Sequence, residues 1–236
     1  MPKRRITVVP SQTEAILGFC FLPFQALLLG SLLARLALAL HAPIDNVSLN
    51  MIHFLLSVAV VCAIFHRLLR ENLRSFRAAP GRMLKAALLI GLPLYLAVSV
   101  GVNSLVEALA PGFANQNDNT VYAMLEENFV LTLLICVVFA PIVEETLYRG
   151  LIFGTLSRRS RAVGYLASAI FFSLIHVLGY LSVMTLPEVL LSLLQYLPAS
   201  IMFCILYERT DCLMVPMVLH AAANLLSCVT AQFLGG

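Results

Sequence analysis

Tryptophan is absent from the 236 residues, and only 11% of them carry charge. Soluble domains carry about a quarter charged residues and just under half apolar ones. With 61% hydrophobic residues and a mean hydropathy of +0.94, the chain is not a soluble globular domain, a disordered chain or a nucleic-acid binder. The six cysteines (Cys20, Cys62, Cys136, Cys204, Cys212 and Cys228) include no CxxC pair. They read as small buried apolar residues rather than as a disulfide framework or metal ligands. Also missing are the HExxH signature of zinc proteases, any G-x-S-x-G nucleophile elbow, internal repeats and low-complexity tracts.

What is present is a series of long apolar runs: Ala15–Leu40, Asn50–Phe65, Leu84–Ala110, Phe129–Leu156, Ala162–Met184, Val189–Tyr207 and Leu213–Leu234. A bilayer core about 30 Å thick takes roughly 20 apolar residues to cross, and only helices satisfy their own backbone there. The fold class is therefore all-α, a polytopic membrane bundle of about seven helices around a cavity.

Basic residues set the expected orientation. Lys3, Arg4, Arg5, Arg67, Arg70, Arg74, Arg77, Arg82, Lys85, Arg149, Arg158, Arg159, Arg161 and Arg209 fall on one set of connections. The others hold Asp45, Asp118, Glu126 and Glu127, and Arg35 alone breaks the pattern. The positive-inside rule then predicts a multi-pass cell-membrane protein with its N-terminus cytoplasmic and its C-terminus outside. The first run is too long for a signal-peptide core of about 7–15 residues, so a retained anchor is expected despite Ala37-Leu38-Ala39.

The connections are short. Residues 66–83 carry five arginines on a mixed apolar background, which fits either an interfacial amphipathic helix or a plain basic loop. Asn115–Asn119 reads as a polar outer loop, and Glu126-Glu127 as the acidic start of a helix. Thr185 and Glu188 have capping-box spacing, making spans five and six a tight hairpin. His53 reads as a packing residue, His41 and His66 as interfacial, Asn103 and Glu107 as hydrated, and Gln195 as a candidate cavity residue.

Ionisable groups inside hydrocarbon cost at least a few kcal/mol unless paired or hydrated, so each one needs a reason. Span four contains Glu144, Glu145 and Arg149, span five Phe172 and His176, and span seven His220 and Asn224. Glu144 is fourteen residues from Arg158, His176 fifteen from Arg161 and Asn224 thirteen from Asp211. At about 1.5 Å per residue, all three lie roughly 20 Å from the basic surface, with His220 one turn shallower. Glu145 and Arg149 are spaced i, i+4 for an ion pair, while Glu144 is turned about 100° away. His220 and Asn224 share a face across three alanines. Pro141 and Pro216 each remove a helix hydrogen bond near these groups, which predicts kinks and freed carbonyls.

A carboxylate beside an imidazole in a partly dry cavity suits general-base activation of water. A second imidazole and a carboxamide suit an oxyanion hole. Hydrolysis of an amide bond in the membrane is the chemistry these groups fit. Zinc held by Glu144, His176 and His220 is the alternative assembly. A proton-coupled transporter, or a non-catalytic scaffold or immunity protein, would use the same residues differently.

The motifs EExxxR (Glu144, Glu145, Arg149), FxxxH (Phe172, His176) and HxxxN (His220, Asn224), in that order on successive spans, resemble the CPBP family of intramembrane proteases. That family includes the CAAX prenyl endopeptidases and many bacterial relatives. The resemblance implies helices around a conical cavity, with residues 129–236 as the catalytic core and 1–128 as a variable region of three spans. It implies Glu144 as general base, His176 assisting, His220 and Asn224 holding the oxyanion, and Glu145, Arg149 and Phe172 in support. It favours a mechanism that requires no cofactor. The implied partners are the bilayer and a membrane-associated substrate: a peptide, a lipopeptide or a protein with a C-terminal sorting signal.

Overall fold

The computed structural model describes residues 6–234, so Lys3, Arg4 and Arg5 lie outside the described residues. Among these residues there is no strand. The helices are α1 (Gln12–Ala39), α2 (Asn46–Ile64), α3 (His66–Ala78), α4 (Pro80–Leu109), α5 (Gln116–Glu127), α6 (Phe129–Leu156), α7 (Arg161–Leu178), α8 (Leu186–Thr210) and α9 (Met214–Leu234). Seven of them, all but α3 and α5, are long and apolar enough to cross a membrane. The chain is a multi-pass membrane protein.

Polar caps start most of these helices, α3 and α4 excepted, because the first-turn N–H groups have no partner within the helix. The Ser11 hydroxyl accepts from Glu14 N while Glu14 receives Ser11 N at 2.7 Å. Asp45 accepts from Ser48 N, Asn128 from Leu131 N and Ser160 from Val163 N. Thr185 and Glu188 form the expected capping box. The fifth span stops at Leu178 rather than Met184, because residues 180–184 fold into tight turns closed by Val183 N and Met184 N on the Tyr180 carbonyl. Gly164 lets α7 turn back closely on α6: a Cβ there would stand 2.9 Å from the Ser157 backbone nitrogen.

Helix α6 is the centre of the bundle. In its most apolar window 44% of residues are buried, against 17% in α1, α2 and α4. Helix α1 packs through one stripe, Glu14, Gly18, Phe21, Gln25 and Leu29, and turns its other faces outward. The main core draws Phe21, Val61 and Met83 together with Val143, Leu151, Phe203 and Leu219. All six cysteines are free.

The basic segment takes the helical one of its two readings, and the expected Asn115–Asn119 loop is also a helix. Residues 66–78 form α3, with Leu68 and Asn72 buried and Arg70, Arg74 and Arg77 exposed. Asn72 Oδ1 receives Leu213 N at 2.6 Å and so caps the start of α9. Asn115, expected in a loop, caps α5 by accepting Asn117 N at 3.0 Å. Glu126 and Glu127 consequently end that helix instead of starting one, and Asn128 begins the next. The sequence signal was read one element too late.

Wide π-helical turns occur at Phe24–Leu29, Lys85–Gly91, Ile135–Phe139 and Glu145–Phe153. The first three adjoin Pro23, Pro93 and Pro141, whose rings crowd the preceding turn and supply no N–H. Pro216 behaves otherwise. It lies in the first turn of α9, where a missing N–H costs nothing, so the kink expected there does not form.

Candidate active site

The site is built on the irregular part of α6. In the widened turn the Ala140 N–H bonds to the Ile135 carbonyl. The next donor along would be residue 141, but proline has none. The Cys136 carbonyl is left free of the helix and accepts Asn224 Nδ2 at 2.7 Å. This bond fastens α9 to α6 one turn from His220.

Glu145 and Arg149 form the expected ion pair, with Nη1 to Oε1 at 3.2 Å and both side chains fully buried. Arg149, counted among the surface cations in the orientation pattern, is a core residue. Its Nη2 donates to Ser200 Oγ at 2.9 Å, and its guanidinium lies over the rings of Phe172 and Phe203 at 4.1 and 4.8 Å. Ser200 bonds onward to the Ser168 carbonyl, and Ser168 Oγ donates to the Tyr148 carbonyl. The pair therefore holds α6, α7 and α8 together. A desolvated charge of this kind is tolerated because hydrogen bonds and π faces replace its water.

His220 stands between the two carboxylates. Its Nδ1 is 2.9 Å from Glu145 Oε1 and its Nε2 is 3.9 Å from Glu144 Oε2. Its ring is stacked on Phe203 with centroids 5.1 Å apart. On the other side of Glu144, His176 places Nε2 at 4.0 Å from the same oxygen. His176 Nδ1 is 2.7 Å from the Phe172 carbonyl. A carbonyl only accepts, so Nδ1 carries a proton and Nε2 is the nitrogen turned toward Glu144. Glu144 Oε2 is itself buried and has no hydrogen-bond partner among the described residues.

Glu144, His176 and His220 are thus brought together as the coincidence in depth predicts. Asn224 shares the His220 face but directs its amide at Cys136. His176 lies in the last turn of α7, two residues from Leu178, which places the site toward the helix end opposite Arg161.

Zinc needs its donors closer together than these atoms stand. At a zinc–nitrogen distance of about 2.0–2.1 Å, tetrahedral ligands lie about 3.3 Å from one another. The Glu144 oxygen is 4.0 and 3.9 Å from the two Nε2 atoms. Among the described residues no group of three or more His, Cys, Asp or Glu is arranged to hold a metal ion. The residues as placed do not fit zinc.

A family model described as type II CAAX prenyl endopeptidase Rce1-like matches residues 126–226, which include every one of these side chains. Over this part of the chain, less than half of its length, the protein is similar to the Rce1-like family. At family level the protein is a membrane peptidase. It is similar to a Bacillus subtilis (strain 168) protein named "Putative membrane peptidase YdiL", with 27% identity over 229 residues covering 89% of this chain and 84% of that one. No solved structure matches.

Sequence reasoning missed several residues of the Rce1-like segment. Ser168, Ser200 and Phe203 complete the arginine's surroundings, and their only sequence signal is a small hydroxyl or ring within an apolar span. Tyr196 stacks on His176 with centroids 4.3 Å apart. Gln195, by contrast, is the expected cavity residue: it donates to Asn103 Oδ1 at 3.1 Å and accepts from Asn115 Nδ2 at 2.8 Å. Together with Asn115, Asp118, Tyr122, Glu126 and Gln232 it lines a cavity of about 480 Å³. Asp118 lies outside the spans, and burial pushes its carboxyl above the usual range against the lowering effect of the Tyr196 hydroxyl. Glu14 was also missed, although Ser11-x-x-Glu14 is a capping signature. It receives Arg67 Nη2 at 2.7 Å and Leu68 N at 3.0 Å, tying α1 to α3.

Proposed function

We propose that the chain is an intramembrane endopeptidase in which Glu144 activates the water that attacks a peptide carbonyl. The observation that carries this is the buried, unpartnered Oε2 of Glu144, 4.0 Å from His176 Nε2 and 3.9 Å from His220 Nε2. Two polar atoms 3.9 or 4.0 Å apart leave room between them for a water about 2.8 Å from each, an ordinary hydrogen-bond length, so a water can bridge Glu144 Oε2 to either imidazole.

In this reading Glu144 takes a proton from the water as its oxygen bonds to the scissile carbonyl carbon. His176 orients the water through Nε2. The negative oxygen that develops is met by an N–H at His220 Nε2 that stays in place through the cycle, with the Glu145 carboxylate facing Nδ1. The second N–H of Asn224, the one not given to Cys136, is the other donor. As the carbon–nitrogen bond breaks, Glu144 returns its proton to the leaving amine, so atoms and charge balance and the enzyme is restored. Glu145, Arg149 and Phe172 hold His220 and α7 in register. Residues 129–236 form the catalytic core and residues 1–128 its surround, with the basic connections, α3 among them, on the cytoplasmic side.

The substrate is a membrane-associated peptide, lipopeptide or C-terminal sorting signal. Purified protein in lipid nanodiscs, supplied with a library of lipopeptides and C-terminal tail segments, should yield discrete products by mass spectrometry. Glu144→Gln and His176→Ala should lose about 10²-fold or more of that rate. Cleavage that survives both substitutions sinks the mechanism.

A further inference from the structure

We propose that Tyr196 is a positioning residue for His176, and that the start of α5 is what fixes Tyr196. The inference deepens the peptidase reading and rests on it for its catalytic meaning, though its structural part stands alone. His176 sits one turn from the end of α7, where its own helix provides little beyond the Phe172 carbonyl and the Phe172 ring, with centroids 4.7 Å away. The face contact from another helix comes from Tyr196, stacked at 4.3 Å and 25°.

That phenol is anchored at its far end. The hydroxyl lies 3.1 Å from Asp118 Oδ1 and 3.2 Å from Asn115 Oδ1, and receives Asn117 Nδ2 at 3.1 Å. Asn115 is held in turn, as the N-cap of α5 and as donor to Gln195 at 2.8 Å. A chain of contacts therefore runs from the Asn115–Asp118 segment, through one rigid ring, to a face of the imidazole whose edge nitrogen Nε2 is turned to Glu144. A planar slab on that face blocks the ring rotations that would carry Nε2 away from the Glu144 oxygen. A displacement of about 1 Å at a reacting group costs about 10²-fold in rate. The asparagine-rich run is then not an inert connection: it sets the position of a side chain inside the membrane.

The test uses the full chain with ¹⁵N-labelled histidine in lipid nanodiscs, with His176→Gln identifying the His176 ring signals. The wild type should show one tautomer, with Nδ1 protonated. Tyr196→Leu should broaden these signals or mix the tautomers. Tyr196→Phe, which keeps the ring and loses the tether, should shift them less. Asp118→Ala combined with Asn115→Ala should reproduce the Tyr196→Phe spectrum, which keeps the proposal testable if Tyr196→Leu does not fold. With the lipopeptide library, Tyr196→Leu should lower kcat about 10- to 100-fold while KM stays within about twofold. Unchanged His176 signals in Tyr196→Leu, or in the Asp118→Ala/Asn115→Ala protein where Tyr196→Leu is unfolded, overturn the proposal. Altered signals in a protein whose wild type cleaves nothing would leave the positioning role standing and remove the peptidase reading instead.

Discussion

Asn224 donates its side-chain amide to the Cys136 carbonyl at 2.7 Å, joining residues 88 positions apart. The acceptor is the one carbonyl that Pro141 leaves without a helix donor. A residue with the spacing of an oxyanion ligand therefore also repairs a break in the central helix. Its two roles make separable demands: repair uses one N–H, and catalysis would use the other.

Asn224→Ala should orphan that carbonyl and lower stability by about 1–3 kcal/mol. Pro141→Ala restores a backbone N–H beside it, so the double variant should recover part of the loss. Thermal unfolding in detergent, analysed as a double-mutant cycle, checks this. Strictly additive effects would mean that the amide and the proline are unrelated.

The Arg149 pair should be intolerant of shape as well as charge. Lysine keeps the charge but lacks the planar fork that reaches Glu145 and Ser200 while lying on two aromatic faces. Arg149→Ala should cost about 3–5 kcal/mol, since it strands the buried Glu145. Arg149→Lys should recover less than half of that loss in the same unfolding assay. Glu144→Gln should leave the transition near that of the wild type, because its Oε2 bonds to no protein group.

Asp118 gives a pH signature at the α5 contact. Burial holds its carboxyl above its ordinary value of 3.8 in the folded protein. The folded state therefore binds the proton more tightly than the unfolded one. The stability this gives is complete below pH 3.8 and is lost as pH rises through the folded value. Asp118→Asn keeps the acceptor for Tyr196 and removes the titration. Its melting temperature should fall less than that of the wild type between about pH 4 and 8. Parallel curves would show that the group does not titrate in this window.

The seven spans were legible because hydrocarbon imposes a length and a composition that a chain cannot disguise. The meeting of Glu144, His176 and His220 was legible through depth alone, since polar groups on neighbouring helices at one level have few other places to turn. Azimuth was not. Whether Asn224 faces a substrate or a carbonyl depends on a local widening of α6, which a 3.6-residue period cannot express. Tyr196 was invisible for a related reason: an aromatic residue in an apolar span carries no mark of what its hydroxyl reaches. The run Asn115–Asn119 read as a loop because asparagine favours turns, but a single asparagine at a cap position starts a helix just as well.

One oxygen, Oε1 of Glu145, serves both the guanidinium of Arg149 and the imidazole of His220. Negative charge that builds up at His220 Nε2 changes the load on that atom through the ring, and the arginine that shares it also grips Ser200. The same fulcrum thus bears on the reacting ring and on the clasp between three helices, so a step in the chemistry is also a pull on the scaffold.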